Sequence, residues 1–119
     1  MQFLDLNKNI KNGDLALLKQ LEIKEDSEGI NILCSDSKGK IISINFPNYY
    51  KFMVRKEVVA NWELDNNKEV FTKTDKSWFI DLSSNTLNFT YKKPIHYQIF
   101  CEFEVVDILA GCEPEIKIL

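Results

Sequence analysis

The residue types capable of acid–base chemistry gather near the C-terminal end of the chain. His96 is the only histidine among 119 residues, and an imidazole titrates close to neutral pH, which suits a general base. Glu102 and Glu104 lie two positions apart on a predicted strand, so their carboxylates would share one face about 7 Å apart. That separation would suit the acid pair of a glycosidase, and with Asp107 the pair could bind a metal ion.

Simpler interpretations account for the same residues. The sequence contains neither an EF-hand loop nor an HExxH segment, which are the spacings that would support a metal site. His96 could simply form hydrogen bonds, and Glu102 and Glu104 could lie on a solvated strand face. Neither interpretation requires additional catalytic or metal-binding residues. We therefore predict no catalytic residue, no metal and no cofactor.

Motifs for nucleotides and nucleic acids are weak or missing from the sequence. There is no G-x-G-x-x-G and no P-loop, and only four glycines are present. Basic and aromatic residues are interleaved in one stretch, a weak version of a base-stacking platform: Tyr49, Tyr50, Lys51, Phe52, Arg55 and Lys56. A net charge of −3 and a pI near 5.2 argue against nucleic acid as the partner, and aromatic residues in a sheet core explain this stretch better.

Acidic residues dominate the chain from Ile95 onward, where Lys117 is the only basic residue other than His96. Such a segment on a nearly neutral body would attract a basic partner, although a solvated sheet face has the same composition. We predict these acids as the partner-binding set: Glu102, Glu104, Asp107, Glu113 and Glu115.

The same C-terminal stretch shows the alternation of a half-buried strand. Apolar residues occupy every second position from Tyr97 to Val105, with polar residues between them except at Phe100. The phase then slips, and a bulge, a turn into a new strand or a short helix would each explain residues 103–110. A second alternating run follows Pro114, at Glu115 to Ile118.

The N-terminal half predicts a short helix and a meander. An Asn-Gly-Asp break at 12–14 precedes leucines at helical spacing, which predicts a helix from Asp14 to Leu21, and the charged residues from Glu22 to Gly29 predict a loop. Two alternating runs, Ile30–Cys34 and Ile42–Phe46, flank a stretch of turn composition and predict a hairpin. A third strand of the meander is expected over Tyr50–Val54.

Patterns in the middle of the chain are shorter. A short strand is expected at Val70–Thr72 and another over Leu87–Tyr91, whereas Lys76–Leu82 is ambiguous between strand and helix. Together the elements predict one α+β domain over residues 1–119, a mainly antiparallel sheet with one or two short helices packed on it.

No segment of the sequence predicts a membrane span or a secretory signal. No apolar run approaches the ~20 residues needed to cross a bilayer, and the start lacks a basic region followed by a long apolar one. We expect a cytoplasmic protein. Three cysteines at scattered spacings, without a CxxC pair, are expected to be buried or partly buried thiols.

The C-terminal half resembles a group of small bacterial immunity proteins encoded beside polymorphic or contact-dependent toxins. The resemblance covers roughly residues 70–119. It depends on Ser77-Trp78-Phe79, His96-Tyr97, the run from Val105 to Leu109, and Glu113-Pro114-Glu115. It implies a non-enzymatic cytoplasmic inhibitor that binds one cognate toxin domain, often a nuclease, in a 1:1 complex.

Two other functions remain open at this stage. A small-ligand-binding or enzymatic α+β domain would use His96 and Glu102 in one concave pocket. An oligomeric structural module would associate through exposed strand edges. Trp62 and Trp78 suit either interface anchors or core packing.

Overall fold

The computed structural model describes residues 1–9, 18–36, 38–56, 69–84 and 93–119. These residues form a 3₁₀ helix, one short α-helix and eight strands in two antiparallel sheets. In chain order the elements are the 3₁₀ helix Phe3–Asn9, β1 Lys19–Asp26, β2 Gly29–Ser35, β3 Ile41–Phe46, β4 Tyr49–Lys56, β5 Phe71–Thr74, α1 Trp78–Ser83, β6 Ile95–Phe100, β7 Glu104–Ala110 and β8 Glu115–Ile118.

Each sheet has four of these strands. The first sheet has the order β1-β2-β3-β8 and the second the order β4-β7-β6-β5. The radius of gyration is 13.6 Å, close to the ~13.5 Å expected for one domain of this length. The predicted α+β class is confirmed, with the strands divided between two sheets.

The core lies between the two sheets because one face of each is apolar. Phe3, from the 3₁₀ helix, closes one part of this core. Its ring centroid lies 5.5 Å from that of Phe71 and 5.1 Å from that of Tyr97 in the second sheet, and 6.3 Å from that of Phe46 in the first. All four rings are buried, so Phe3 ties the sheets together through edge and tilted ring contacts.

The predicted hairpin is confirmed as β2 and β3, with Ile32 opposite Ile44. The next strand is also present as β4, but its predicted place in the meander is wrong. After the turn at 47–48, β4 joins the second sheet and pairs with β7. The meander of the first sheet is instead β1-β2-β3, completed by β8.

The predictions for residues 14–29 are wrong where the structure describes them. Lys19–Asp26 is a strand, so the helix does not extend to Leu21 and the loop is confined to the turn at 27–28. Residues 14–17 lie outside the described part of the chain. As an edge strand β1 needs little inward apolar surface, and Ile23 supplies the contact with the core, so the strand has no clear alternation.

The remaining predictions concern short elements in the middle and at the end of the chain. The strand at Val70–Thr72 is confirmed as β5, and the ambiguous 76–82 stretch contains α1. Val58, Val59, Trp62 and Leu87–Tyr91 lie outside the described residues. The predicted final strand is confirmed as β8.

The phase slip after Val105 is explained by a turn into a new strand. β6 ends at Phe100, residues 101–103 turn, and β7 follows antiparallel to it. The prediction of a single strand through Phe103 and Val105 is therefore wrong, as is the expectation that one face of this strand is exposed to solvent. His96 is buried at 1% exposure because Ser77 and the rings of Trp78 and Phe79 cover it, and Phe100 is buried in the core cluster.

Candidate functional site

A group of polar side chains is buried on the face of the second sheet that points away from the core. Gln98 lies opposite Asp107 in the β6–β7 register, and His96 is two residues before Gln98. Residues two apart on a strand share a face, as do residues directly opposite on paired strands. Arg55 on β4 joins the group from the other side of β7.

Asp107 is the centre of this group and is fully buried. Its Oδ1 accepts hydrogen bonds from His96 Nε2 at 2.7 Å, Gln98 Nε2 at 3.1 Å and Arg55 Nη2 at 3.1 Å, and its Oδ2 accepts one from Arg55 Nε at 2.5 Å. We call Asp107 with these three donors the Asp107 network. Burial alone would raise the pKa of the Asp107 carboxyl, but the hydrogen bonds and charges of His96 and Arg55 outweigh burial and hold that pKa below its ordinary value.

The other nitrogen of His96 connects the Asp107 network to α1. Because an ionised carboxylate only accepts hydrogen bonds, His96 Nε2 carries a proton. His96 Nδ1 lies 2.8 Å from the Ser77 hydroxyl, within hydrogen-bond distance. Ser77 is the N-cap of α1, and its Oγ accepts the Ile80 N–H at 3.2 Å. One chain of hydrogen bonds therefore runs from the first turn of α1 to the middle of β7.

The residue types of a hydrolytic triad are present in Ser77, His96 and Asp107. Unlike the triad of a hydrolase, they are not accessible to a substrate. In a triad the imidazole contacts the serine through Nε2 and the aspartate through Nδ1, whereas the two nitrogens are exchanged here. Trp78 and Phe79 place their rings 5.8 Å and 5.2 Å from the imidazole, and His96 is only 1% exposed. The arrangement attaches α1 to the sheet, and the imidazole is not open to a substrate as the general-base interpretation requires.

Trp78 lies on the outside of this arrangement. Its side chain is 44% exposed, and the Arg55 guanidinium carbon lies 4.8 Å from its ring centroid, within the range of a cation–π contact. Arg55 is thus held between a buried carboxylate and a half-exposed indole. Trp78 combines packing with an exposed surface, and Trp62 lies outside the described residues.

The basic and aromatic stretch on β4 does not form an open stacking platform. Arg55 is bound by Asp107, and Lys51 Nζ lies 5.8 Å from the Phe79 ring centroid. Tyr49 and Phe52 pack against the core between the sheets. The interpretation of these aromatic residues as core packing is supported.

The five predicted partner-binding acids do not form one face. Asp107 is wrong as a surface residue, because its carboxylate is fully buried in the Asp107 network. Glu104 begins β7 and Glu113 follows its other end, so about 20 Å of strand separates them. Glu113 Oε2 accepts the Phe3 N–H at 3.2 Å and Oε1 contacts Lys73 Nζ, and Glu115 lies on β8 in the other sheet.

The turn between β6 and β7 carries an exposed aromatic side chain between two of the predicted acids. Phe103 is 65% exposed and is flanked by Glu102 and Glu104. The backbone around it is fixed, since Cys101 N donates to Glu104 O at 2.8 Å and Glu102 N donates to Leu18 O at 2.7 Å. Sequence alternation placed Phe103 inside a strand; only knowledge of where β6 ends would have identified it as exposed.

His96 and Glu102 are not brought together in one pocket. About 14 Å separates His96 from Phe100 at the end of β6, and Glu102 lies beyond it. A depression of about 500 Å³ lies on the outer face of the first sheet. Its lining includes Lys24, Asp26 and Glu115, and neither His96 nor Glu102.

Among residues 1–9, 18–36, 38–56, 69–84 and 93–119, no three His, Cys, Asp or Glu side chains form a group that could hold a metal ion. No helix in those ranges has the length and apolar character required to cross a membrane. Comparison of the chain with protein-family models, with curated proteins and with solved structures found no match.

Proposed function

We propose that this chain is an immunity protein that binds a cognate bacterial toxin domain, in a 1:1 complex, and neutralises it by tight protein–protein interaction. The resemblance of residues 70–119 to such proteins supports the proposal. The observation that carries it is Phe103, an aromatic side chain exposed to solvent between two carboxylates on a fixed turn.

An exposed aromatic residue on a fixed backbone suits a binding anchor. Interface energy concentrates in a few residues, often aromatic, that enter a pocket on the partner. Because the turn backbone is already hydrogen-bonded, binding would order little more than the Phe103 side chain, which keeps the entropy cost low.

Glu102 and Glu104 supply the charge complementarity. Nuclease toxins need basic surfaces to hold a phosphate backbone, and acids beside the anchor would attract such a surface and speed association. Asp107 is buried, Glu113 is paired with Lys73 and Glu115 lies on β8 in the first sheet, so Glu102 and Glu104 are the predicted acids that lie beside the anchor.

The first experiment is a growth assay. The C-terminal domain of the adjacent large open reading frame is expressed in a bacterial host with and without this chain, and the complex is then isolated. We expect toxicity, rescue by the chain, and co-purification in equal amounts. A toxic domain that the chain neither rescues nor binds would refute the proposal.

The second experiment tests the turn. Phe103→Ala is expected to weaken binding by about 30-fold or more, the effect of losing a hot-spot residue. Glu102→Gln with Glu104→Gln should slow association most at low salt. The matched control, Asp26→Asn with Glu28→Gln, removes the same charge from exposed positions on the β1–β2 hairpin of the first sheet and should leave the association rate nearly unchanged. Equal effects of the two double variants would contradict a role specific to the turn.

A further inference from the structure

Helix α1 exposes two apolar side chains to solvent. Trp78 and Leu82 are one turn apart, so they share a side of the helix, and they are 44% and 58% exposed. Asp81 is exposed on the same side. The opposite side carries Phe79 and Ser83, both buried against the sheet. We call Trp78, Asp81 and Leu82 the outer stripe of α1.

The indole of Trp78 is held in place before any partner binds. Arg55 stacks on one part of the ring and the His96 imidazole meets it edge-on at 89°. Arg55 and His96 are themselves fixed by the buried Asp107 carboxylate. An aromatic side chain with its rotamer already fixed loses little entropy on binding, which makes it an efficient anchor.

The outer stripe lies over the two strands that the β6–β7 turn connects. The Trp78 ring contacts His96 on β6 and the Arg55 guanidinium, which is bound to Asp107 on β7. Asp107 is four residues from Phe103, or about 14 Å along the strand. One partner domain could cover both within the ~800 Å² per partner of an ordinary interface.

The two surfaces also share their chemistry. Phe103 is flanked by Glu102 and Glu104, and in α1 the apolar pair lies beside Asp81. Both surfaces therefore complement an apolar pocket with a basic rim. This common pattern, together with the position of both surfaces on the same pair of strands, argues for one occupant.

We propose that the outer stripe of α1 is the second part of the surface that binds the toxin domain, with Trp78 as its anchor. This inference depends on the proposed function, since the occupant is the same domain. Asp107 and Arg55 act as positioning residues for the indole and do not touch the partner.

The test measures binding of the purified toxin domain to the full chain by calorimetry. Leu82→Ser removes an exposed side chain and should leave folding intact, yet we expect it to weaken binding by about 10-fold. Trp78→Ala should weaken it more, and Trp78→Phe should restore most of the loss. Leu4→Ser, at another exposed leucine on the 3₁₀ helix, is the matched control and should bind like the wild type. Urea unfolding of each variant verifies that it is folded.

Each outcome has a distinct meaning. If the wild-type chain does not bind the domain, the proposed function fails. If it binds, and Phe103→Ala weakens binding while Leu82→Ser and Trp78→Ala do not, the outer stripe is not part of the interface and only this inference fails. An equal loss with Leu4→Ser would also overturn it. If the chain alone forms dimers that Leu82→Ser dissociates, the stripe belongs to a second copy, and the inference is again wrong.

Discussion

Replacing Asp107 by Asn should destabilise the protein severely. The carboxylate is fully buried and accepts hydrogen bonds from His96, Gln98 and two nitrogens of Arg55. Asn has one acceptor oxygen and no charge, so Arg55, only 15% exposed, would lose its counter-ion. Breaking a buried ion pair from one side costs about 3–5 kcal/mol, which is much of the 5–15 kcal/mol that stabilises a typical domain.

Thermal and urea unfolding would measure this loss. For 119 residues the entropy of unfolding is ~0.25 kcal/mol/K, so the midpoint should fall by roughly 12–20 °C. Far-UV circular dichroism follows the sheets, and tryptophan emission includes Trp78 above Arg55. Glu115→Gln, at an exposed position, should change stability by less than ~0.5 kcal/mol. A loss below about 1 kcal/mol in Asp107→Asn would refute the idea that the Asp107 network holds this face together.

The Asp107 carboxylate also makes the free energy of unfolding depend on pH under acidic conditions. The pKa of Asp107 is lower in the folded protein than its ordinary value of 3.8, so the folded state favours the ionised form. Its contribution is complete well above pH 3.8 and is lost as the pH falls through the lowered value of the folded state. Urea unfolding from pH 6 down to pH 2.5 should show this decline in the wild type and a flatter profile in Asp107→Asn. Parallel profiles would remove Asp107 as the cause.

Three further changes test other parts of the fold. Gly29→Ala should cost about 1–3 kcal/mol in urea unfolding, because Gly29 has a φ of +113° and an added Cβ would lie 2.2 Å from the Phe46 carbonyl oxygen; a neutral result would contradict that geometry. Asn7→Ala should cost about 1–3 kcal/mol, since the Asn7 amide bonds both the N–H and the carbonyl of Phe71 at 2.9 and 2.7 Å, and amide exchange at Phe71 should accelerate if this is right. A thiol reagent should label exposed Cys112 rapidly and the two buried cysteines only on unfolding; rapid labelling of three thiols in the folded protein would contradict the burial.

The hairpin of β2 and β3 was predictable because the alternation of apolar and polar residues is enough to define both strands. Apolar residues alternate on both strands, and a polar turn connects them, so the inward face can be read directly from the sequence. The destination of β4 was not predictable in this way. Its alternation defines a strand, but alternation contains no information about which strand it pairs with, and the turn at 47–48 takes it to the other sheet.

The candidate site was harder to predict because it depends on contacts between distant segments. His96 and Asp107 look like solvent-facing polar residues, since a polar residue on a strand is usually exposed. His96 is buried because α1 lies over it, and Asp107 is surrounded by His96, Gln98 and Arg55. A helix of six residues is too short to produce a helical period. The one local signal was Ser77 before Trp78-Phe79, a capping residue ahead of an apolar pair.

The distribution of acids follows from where the strands begin and end. In the sequence, five acids form one segment. In the structure, Asp107 is buried in the Asp107 network, and the length of β7 separates Glu104 from Glu113. Of the remaining acids, Glu102 and Glu104 lie beside Phe103 and Glu115 lies on the first sheet, while Asp81 of α1 lies beside Trp78. Attraction by the acids beside Phe103 and Trp78 and burial of their apolar neighbours would act at the same places, so an interface here would depend on a few mixed contacts rather than on a broad negative surface imitating a nucleic acid.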